Sequence, residues 1–426
     1  MHTSSRIIIV GAGVFGLSAA LELTRKGYKN IAILDRHVPP VPDGSSVDIS
    51  RVIRFDYRDA VYAKIAKEAY DVWHSAPEFQ GIFFPSANAF IASKAYGRSH
   101  VDKCKDVLDS LGLPWEQLPD QETIKNMFPM LYGDKLQSEL YGYCNRSSGW
   151  ADAQKAIAFL RDQCIAGGVS FICGTQGTVV AFQKDKMTDK ILAAKTASGH
   201  DVQGDYFILS AGAWSSKLAP MYNSTIATAQ VLAFIKLTAA EVTALKSLPL
   251  YIDYDSGWFS FPPHEETGLL KIAVHGWGYT RTTDKDDLSL PPTTVRSRRT
   301  NFAPNDGIAR LRAGLQITLP ALANRKFERV AVCWYNDTPS GDFIIDYHPD
   351  HSNLFLATAG SGHAFKFLPV LGKYIVQGFE NSLPRDLAQK WRFRTEYKNK
   401  EDTFHGDGSR GGPARREFTT LEKSQL

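Results

Sequence analysis

The sequence predicts an α/β protein in which a parallel sheet covered by helices alternates along the chain with an α+β unit built on a mixed or antiparallel sheet. Three observations predict this fold. A β-branched run near the start is followed by a glycine-rich turn, a helical pattern and a second apolar run. Strand-like segments that end in small-residue turns return near 206–213 and 353–363. Between these returns lie alternating, aromatic-rich segments, which are typical of an antiparallel sheet with one covered face.

The first strand, helix and strand predict a nucleotide-binding unit of the Rossmann type. A β-branched run enters a tight turn at Gly11 and Gly13, and Gly16 opens an Ala- and Leu-rich helical pattern. A second apolar run ends at Asp35. In such a unit the first glycine permits the turn, the second lets the backbone approach a pyrophosphate, and the third lets the helix pack on the strand. We expect Asp35 to accept hydrogen bonds from ribose hydroxyls.

The rest of the chain alternates between helical and strand-like patterns. Apolar residues recur at helical spacing in segments that end at glycines or follow capping residues. These predicted helices are 60–73, 99–113, 121–128, 152–166, 308–315 and 365–378. Short apolar or alternating runs between polar turns predict strands. These are 81–93, 169–185, 206–209, 231–237, 251–254, 257–261, 268–275, 329–336, 343–346 and 353–358.

These elements suggest a discontinuous domain organisation. We expect residues 1–85, 145–225 and 325–395 to form the nucleotide-binding domain, and 86–144 and 226–324 a substrate domain. The polar stretch 280–306, with a basic cluster at Arg296, Arg298 and Arg299, is expected to be a surface insertion without assigned function. Residues 396–426 are rich in Lys, Arg, Gly and Ser, which predicts a flexible C-terminal tail.

Composition narrows the function classes. The 426 residues suggest two or three compact units, since one domain averages roughly 150 residues. Basic and acidic residues number 49 and 45, so the charge predicts neither nucleic acid nor membrane as a partner. The five cysteines form no CxxC pair and no metal-ligand spacing, which favours a reduced intracellular protein without a metal. The uncharged run 7–21 is shorter than the ~20 residues that a membrane span needs.

Three groups of polar residues are candidates for a site. Arg51 and Arg54 are three residues apart, so on a helical turn they would point the same way; a solvated basic patch is the alternative. Lys271 lies within an apolar strand pattern, where burying an ammonium group is costly unless it has a partner or a function. The turn at Gly360 and Gly362 is a second glycine-rich passage from strand to helix, which suggests a second helix N-terminus aimed at the same ligand.

Seven motifs that run in order from about residue 6 to 394 resemble a known family. They are GAGVFG, RVIR, GWADAQKA, LSAGAWS, GLLKIAVH, AVCWYNDTP and GSGHAFKFLP. They resemble the FAD-dependent amine oxidases that include monomeric sarcosine oxidase, pipecolate and saccharopine oxidases, and fungal fructosyl amino acid oxidases (amadoriases). The resemblance implies the FAD-binding fold of D-amino acid oxidase type and an enzyme that oxidises CH–NH bonds with oxygen as acceptor.

The resemblance also implies which residues hold the cofactor. Cys333 occupies the position of the cysteine that forms a thioether with the flavin 8α carbon, although a single cysteine is often a small buried hydrophobe. A covalent link would fix the ring and raise its potential. The implied cofactor-binding residues are Gly11, Gly13, Val14, Phe15, Gly16, Asp35, Arg36, Ser50, Arg51, Val179, Ala211, Gly212, Trp214, Cys333, Gly360, Gly362, His363 and Lys366.

Four residues match catalytic positions of the family. Lys271 matches the lysine that activates oxygen, where a fixed positive charge stabilises superoxide as it forms; a place on the solvent face of the strand is the alternative. Arg54 and Lys366 match the pair that grips the substrate carboxylate. His275 stands where sarcosine-type enzymes carry an active-site histidine and fructosyl enzymes a glutamate, which argues against a fructosyl substrate. A purely structural histidine is the alternative.

The implied reaction is the oxidation of a secondary amine that carries a carboxylate, such as a pipecolate- or saccharopine-like compound. Hydride equivalents pass to FAD, an imine is left, and oxygen reoxidises the flavin to give hydrogen peroxide. A fructosyl amino acid oxidase, a sarcosine oxidase and a secondary-metabolite amine oxidase are alternatives within the family. A nicotinamide-dependent reductase and a non-catalytic flavin- or nucleotide-binding protein are alternatives outside it.

The resemblance and the composition also bear on partners and location. We expect a monomer with a small-molecule amine and oxygen as partners. Trp258 and Trp277 are candidate walls of the substrate side, with core packing as the alternative. The final Ser424-Gln425-Leu426 resembles the Ser-Lys-Leu peroxisomal address but departs from it at Gln425, so a peroxisomal or cytoplasmic location is expected.

Overall fold

The structure is a computed structural model that describes residues 2–133, 139–282, 288–292, 301–397 and 406–426. The strands of these residues are β1 (Arg6–Val10), β2 (Asn30–Leu34), β3 (Arg51–Ile53), β4 (Phe83–Pro85), β5 (Asn88–Ala92), β6 (Glu116–Leu118), β7 (Tyr141–Asn145), β8 (Gly149–Ala151), β9 (Ser170–Ile172), β10 (Val179–Lys184), β11 (Ile191–Thr196), β12 (Asp201–Gln203), β13 (Tyr206–Leu209), β14 (Ile226–Lys236), β15 (Leu250–Asp253), β16 (Trp258–Ser260), β17 (Leu269–Val274), β18 (Tyr279–Thr280), β19 (Arg329–Asp337), β20 (Ile344–Tyr347), β21 (Leu354–Thr358) and β22 (Arg416–Glu417).

The α-helices of the described residues connect and cover these strands. They are α1 (Val14–Arg25), α2 (Ala60–Ser75), α3 (Ala95–Ser110), α4 (Gln121–Met127), α5 (Ala153–Ala166), α6 (Ser215–Leu218), α7 (Ala239–Leu245), α8 (Asn305–Thr318), α9 (Leu368–Phe379), α10 (Arg385–Trp391) and α11 (Thr420–Gln425). Capping explains several starts: Asp59 accepts hydrogen bonds at the start of α2, and Asp152 does so at the start of α5. No helix within the described ranges is long and apolar enough to cross a membrane.

The first sheet is the Rossmann-type sheet, with strand order β20-β21-β13-β1-β2-β9. Neighbouring strands are parallel except at the edge pair of β20 and β21, which is antiparallel. Its central strand β1 is buried on both faces, because Ile7 and Ile9 pack under α1, α5 and α9, and Ile8 packs toward β10 and β11. Helices α1 and α9 approach closely at Gly372, where a Cβ atom would lie 2.2 Å from the Ser18 carbonyl oxygen.

The second sheet is mixed and mostly antiparallel, with strand order β22-β18-β14-β17-β16-β15-β5-β7-β6. The parallel pairs are β15 with β5 and β18 with β22. Helix α8 covers one face through Leu311 and Leu315, which belong to the same core cluster as residues of β14 and β17. Two interleaved units, one on a parallel sheet and one on a mixed sheet, confirm the predicted fold class.

One predicted domain boundary is wrong for strand β19, which was expected to lie with the nucleotide-binding residues 325–395. Residues 329–337 instead pair antiparallel with β14 of the second sheet along the whole strand. The physical reason is its alternating pattern, since Val330, Val332 and Trp334 enter the core of the second sheet. Strand β19 therefore carries Cys333 on the other side of the cleft from the glycine turn.

The prediction of a flexible tail is also wrong for residues 406–426. Strand β22 pairs with β18, and Phe418 is 2% exposed and stacks on Tyr279. Leu426 enters the same core cluster, and Thr419 and Glu422 form a capping box at α11. This segment is held in place largely by polar contacts, which a hydropathy pattern does not detect, so its low content of apolar residues was misleading. The basic cluster at 296–299 and residues 398–405 lie outside the described residues.

Candidate active site

The turn after β1 is shaped by glycines that tolerate no side chain. Gly11 has φ +113°, and a Cβ atom there would lie 2.4 Å from the Ser210 carbonyl oxygen. At Gly16 a Cβ atom would lie 1.9 Å from the carbonyl oxygen of Gly11. The Asp35 carboxylate accepts a hydrogen bond of 2.7 Å from the Ala12 N–H, so it fixes this turn. Burial raises the pKa of Asp35.

A cavity extends from this turn to the second sheet and collects most of the predicted site residues. Its lining includes residues of both glycine-rich turns, the residues that follow β13, and residues of β3, β17 and β19. Predicted residues that line it are Gly13, Val14, Phe15, Arg51, Arg54, Ala211, Gly212, Trp214, Lys271, His275, Cys333, Gly360, Gly362, His363 and Lys366.

Six predicted residues lie behind the cavity wall instead of on it. Gly11, Gly16 and Asp35 form the turn described above. Arg36 pairs with Asp43 and lies 4.3 Å above the ring of Trp214, which lines the cavity.

The other two of these six residues also support the wall from behind. Ser50 contributes its carbonyl oxygen to Lys271, and Val179 starts β10, two residues after Gly177, whose Cβ would contact the Asp35 backbone. Ser50 thus contributes through its backbone, which the sequence motif alone does not distinguish from contact with a ligand.

Several buried polar atoms of the wall have no hydrogen-bond partner among the residues that the structure describes. They belong to residues that line the cavity, and they are Arg54 Nη1, Ser210 Oγ, Trp214 Nε1 and Trp334 Nε1. Leaving such an atom unpaired costs about 1–3 kcal/mol, so a protein rarely retains several without a ligand that pairs with them. With the glycine turn at one end and cations at the other, this wall fits a long, polar, partly anionic ligand such as a dinucleotide.

The second-sheet side of the cavity carries a buried charge cluster next to Cys333. The Asp48 carboxylate pairs with Arg51 at 2.5 Å and with Lys271 at 2.7 Å. Arg51 Nη2 lies 4.0 Å from the Cys333 sulfur, which is half-buried and free. Although burial favours the protonated acid, the charges of Lys271 and Arg51 hold the pKa of Asp48 well below its usual range.

Lys271 is buried, not on a solvent face, since its side chain is only 3% exposed. Its ammonium group also donates to the Ser50 carbonyl oxygen at 2.9 Å and lies 4.7 Å from the Phe261 ring centre. Burial lowers the pKa of Lys271 to about 8, against the opposing effect of the Asp48 charge. This lysine therefore changes its charge close to neutral pH.

At the other side of the cavity two more cations are buried together. Arg54 is 9% exposed, its Nη1 has no partner, and its guanidinium lies 5.0 Å from the ring centre of Tyr57. Lys366 is 5% exposed and donates to Tyr57 Oη at 2.8 Å and to the His363 carbonyl oxygen at 2.9 Å. Burial, and then the Arg54 charge, lower the pKa of Lys366 well below its usual value.

His363 completes a hydrogen-bond chain that starts at Lys366. Tyr57 Oη accepts from Lys366, so its own proton goes to His363 Nδ1 at 3.0 Å. His363 Nε2 then donates to the Gly341 carbonyl oxygen at 2.8 Å. Burial lowers the pKa of His363 to about 3, which keeps the ring neutral. Both ring nitrogens are occupied by protein groups, so His363 supports the pair of cations.

His275 lies between the second sheet and the C-terminal segment. Its Nε2 is 3.0 Å from Ser409 Oγ, and both residues line the cavity. Sequence reasoning missed Ser409 because it lies in the predicted tail, and missed Tyr57 and Asp48 because no spacing rule marks contacts over this sequence distance. Trp258 is a core residue that donates to the Leu311 carbonyl oxygen and does not line the cavity.

In the part of the chain that the structure describes, no three His, Cys, Asp or Glu side chains are grouped so that they could hold a metal ion.

Comparison with known proteins identifies the cofactor class. The family model for FAD dependent oxidoreductase matches residues 6–377. The chain belongs to this family.

Relatives within the family are oxidases of amino acids and amines. L-saccharopine oxidase of Schizosaccharomyces pombe is 31% identical over 413 residues, which cover 93% of this chain and 95% of that protein. Monomeric sarcosine oxidase of a Bacillus species is 27% identical over 88% of this chain and 93% of its own. The structure of fructosamine oxidase (Amadoriase II) from Aspergillus fumigatus superposes with a TM-score of 0.87 at 28% identity, covering 98% of this chain and 96% of that one.

These comparisons confirm the family that the motifs predicted and the dependence on FAD. This FAD-dependent oxidoreductase is an enzyme of the class that acts on C–N bonds. The glycine turn, the unpaired polar atoms and the two groups of cations are consistent with FAD as the ligand of the cavity. The family match ends before residues 406–426, so it does not account for Ser409.

Proposed function

We propose that this protein oxidises a secondary amine that carries a carboxylate, with saccharopine- or pipecolate-like amino acids as the substrate class. One observation carries the proposal: Arg54 and Lys366 are buried together at the cavity, and Arg54 Nη1 has no partner among the described residues. Neither cation forms an ion pair within the described ranges, and although the buried Asp56 carboxylate acts on both charges, two buried cations favour a further anionic ligand. A planar carboxylate matches the fork of the arginine and leaves the lysine as a point charge.

The residues that would hold FAD follow from the cavity wall. The turn at Gly13 and the N-terminus of α1 would bind the pyrophosphate, while Asp35 holds that turn in place. The backbone at Ala211 and Gly212 and the indole of Trp214 continue the wall. FAD bound here supplies the two-electron oxidation of the substrate C–H beside nitrogen and the transfer of those electrons to oxygen, which gives hydrogen peroxide.

The second glycine-rich turn would face the other end of the same cofactor. Ala359, Ser361 and Gly362 have positive φ values of 60°, 46° and 78°, and a Cβ atom at Gly362 would lie 2.3 Å from the Tyr335 ring. The chain then forms a 3₁₀ turn and enters α9 at Leu368. We infer that this turn directs backbone N–H groups and the positive end of the helix toward negative charge on the cofactor.

Cys333 is our candidate for covalent attachment of FAD. It lies on β19 at the cavity, and Arg51 is placed 4.0 Å from its sulfur. Attachment needs a sulfur nucleophile that reaches the cavity, and the free thiol of Cys333 supplies one. Attachment would tie the flavin to the second sheet while the glycine turn holds the nucleotide end on the first sheet.

Lys271 is our candidate for the oxygen reaction. Its ammonium group is held by Asp48 and the Ser50 carbonyl oxygen, so the positive charge stays at one place in the cavity wall. A fixed charge that needs no reorganisation stabilises the negative charge that develops when oxygen accepts an electron. Neutral Lys271 cannot do so, which connects its pKa of about 8 with the pH dependence of turnover.

The substrate proposal favours simple amino acid chains over fructosyl amino acids. His275 is half-buried, and desolvation lowers its pKa well below the ordinary value, so it presents a neutral ring. A neutral imidazole accepts a single hydrogen bond from an amine, whereas a glutamate would match the several hydroxyls of a sugar chain. The high similarity to Amadoriase II, a fructosamine oxidase, keeps the fructosyl class as the second candidate.

A screen for peroxide release tests this proposal. Purified holoenzyme is supplied with saccharopine, pipecolate, sarcosine, N-methylated aromatic amino acids and fructosyl-valine in air. We expect kcat/KM to be highest for pipecolate or saccharopine. If kcat/KM is highest for fructosyl-valine, the substrate class is fructosyl amino acids instead. A colourless protein that needs NAD(P) would refute the proposal that this protein is a flavin oxidase.

We propose a monomer in the peroxisome or cytoplasm. The terminal tripeptide resembles a peroxisomal address, but Leu426 is 3% exposed and packs in the core of the second sheet. A receptor that binds this terminus must first displace it. Microscopy of the chain with a fluorescent protein at its N-terminus, with and without the last three residues, distinguishes the two compartments.

A further inference from the structure

The C-terminal segment 406–412 is attached to the candidate active site by buried polar contacts. The Arg410 guanidinium pairs with Asp337 at 2.5 Å and donates to the Gly276 carbonyl oxygen at 3.0 Å. The Gly411 N–H donates to the carbonyl oxygen of His275 at 3.2 Å. These contacts hold the segment on both sides of His275. Ser409 is 5% exposed and reaches the cavity from this position.

Three side chains of this region form a hydrogen-bond chain with a defined direction. The Asp407 carboxylate oxygen Oδ1 accepts from the Ser409 N–H at 3.1 Å and from Ser409 Oγ–H at 2.5 Å. Two such donors favour the ionised acid. The hydroxyl proton of Ser409 is thereby committed to Asp407, so Ser409 Oγ has only lone pairs for His275. His275 Nε2, at 3.0 Å, must therefore be the donor.

This direction determines the tautomer of His275. A neutral imidazole with its proton on Nε2 carries a lone pair on Nδ1. No hydrogen bond joins Nδ1 to a residue in the described ranges, and His275 lines the cavity. Arg54, whose guanidinium has the unpaired Nη1, lines the same cavity, so one small molecule there can meet both groups.

The surroundings of His275 keep the ring neutral. Burial lowers the pKa of His275 first, and the charges of Arg410 and Arg54 act in the same direction, while the Asp407 charge opposes them. Among the described residues, the titratable side chain of Tyr335 also packs on the His275 imidazole, and the centres of the two rings lie 5.8 Å apart. Ser409 separates the imidazole from the Asp407 carboxylate, which would otherwise favour its protonation.

We propose that Asp407 and Ser409 are positioning residues that hold His275 as the Nε2–H tautomer, so that Nδ1 accepts the N–H of the substrate's secondary amine. This inference rests on the proposed function for the identity of the substrate and on the geometry alone for the tautomer. It assigns a role in substrate recognition to the C-terminal segment. An amine held between Nδ1 and the carboxylate held by Arg54 has its C–H bond fixed relative to both.

Nitrogen-15 NMR of histidine-labelled holoenzyme tests the tautomer without turnover. The His275 signals are assigned by their loss in His275→Gln. In the wild type we expect a protonated Nε2 and an unprotonated Nδ1 from pH 6 to 9. In Ser409→Ala we expect a mixture of tautomers, or a ring that becomes protonated at the acid end of this range, because the hydroxyl no longer separates it from the Asp407 carboxylate. A protonated Nδ1 in the wild type, or identical spectra in the two proteins, would overturn the proposal.

Anaerobic reduction of the flavin by pipecolate tests the link to the substrate. Ser409→Ala should lower the limiting reduction rate at least about tenfold and add a loss of rate on the acid side, because the amine is then less well oriented and a misplacement of about 1 Å can cost about 10²-fold. Binding of cyclohexanecarboxylate, which has no amine, should stay unchanged. Ser424→Ala, on the exposed end of the chain, should match the wild type.

Two results separate the proposals. If His275 has the expected tautomer but no secondary amine that carries a carboxylate reduces the wild-type flavin, the proposed function is wrong and the positioning role remains. If pipecolate reduces both proteins with superimposable pH profiles, the positioning role fails while the proposed function stands.

Discussion

Replacing Arg54 by methionine tests the carboxylate site, because we expect a large loss of carboxylate affinity and only a small change in the stability of the fold. Methionine fills a similar volume with a flexible apolar chain. In the free protein Arg54 Nη1 is buried without a partner, which costs about 1–3 kcal/mol. The substitution removes this cost but also loses the contacts with the rings of Tyr57 and Phe90, at 5.0 and 5.6 Å. It also removes the charge that favours the ionised form of the buried Asp56, which can then take up a proton while it keeps its hydrogen bonds with Asn145. We therefore expect the free energy of unfolding to change by no more than about 2 kcal/mol.

The effect on carboxylate binding should be larger. Each hydrogen bond between charged groups contributes about 1.5–3 kcal/mol, so a fork of two bonds contributes at least about 3 kcal/mol. Since 1.4 kcal/mol corresponds to about tenfold, the Kd of cyclohexanecarboxylate should rise at least about 100-fold. Lys366 remains and keeps some affinity, while its pKa rises because the Arg54 charge no longer lowers it.

The assay is titration of the holoenzyme with cyclohexanecarboxylate, followed by the change in flavin absorbance, together with thermal unfolding. Arg25→Met is the matched control, since this arginine is 61% exposed at the end of α1. An unchanged Kd in Arg54→Met would refute the carboxylate site. A loss of binding that accompanies a loss of more than about 4 kcal/mol in stability would assign Arg54 to the fold instead, because that is above the usual range for a single substitution.

Two further predictions concern the cofactor side. Cys333→Ser should release free FAD on acid denaturation, whereas the control Cys173→Ser should keep flavin with the precipitated protein; flavin bound covalently in Cys333→Ser would contradict the attachment site. Lys271→Met should leave anaerobic flavin reduction nearly unchanged and slow reoxidation by oxygen at least about tenfold, as expected for loss of a fixed charge worth about 1.4 kcal/mol or more. Because the pKa of Lys271 is lowered to about 8, its charge is present below this pH, and the wild-type reoxidation rate should fall as pH rises through about 8. The exposed Lys236→Met on β14 should behave as the wild type, and a reoxidation rate independent of pH would remove Lys271 from the oxygen reaction.

Short-range patterns in the sequence predicted the parts of the fold that depend on local backbone chemistry. The turn at Gly11 could be predicted directly, because the required φ value and the close approach of Ser210 leave glycine as the only residue that fits there. The apolar residues on both sides of Lys271 in its strand indicated that this lysine is buried. The motifs predicted the family, and the comparisons confirmed it.

Contacts between distant segments could not be predicted in the same way. Asp48 meets Lys271 across more than two hundred residues, and no pattern near Asp48 marks it as the partner. The side of the cleft on which Cys333 lies depended on the long-range pairing of β19 with β14, which the alternating pattern of β19 permits but does not name. The packing of Ser409 and its neighbours rests on hydrogen bonds and one buried ion pair, which composition does not reveal.

Anaerobic mixing of the holoenzyme with an amino acid tests the central claim most directly. Pipecolate or saccharopine is added under argon, flavin absorbance is followed, and air is then admitted. We predict that the flavin is bleached by the acid, is bleached much more slowly by piperidine, which lacks the carboxylate, and regains its colour in air with one hydrogen peroxide per flavin. Equal reduction by the acid and by piperidine, or no reduction by any secondary amine that carries a carboxylate, would contradict the account.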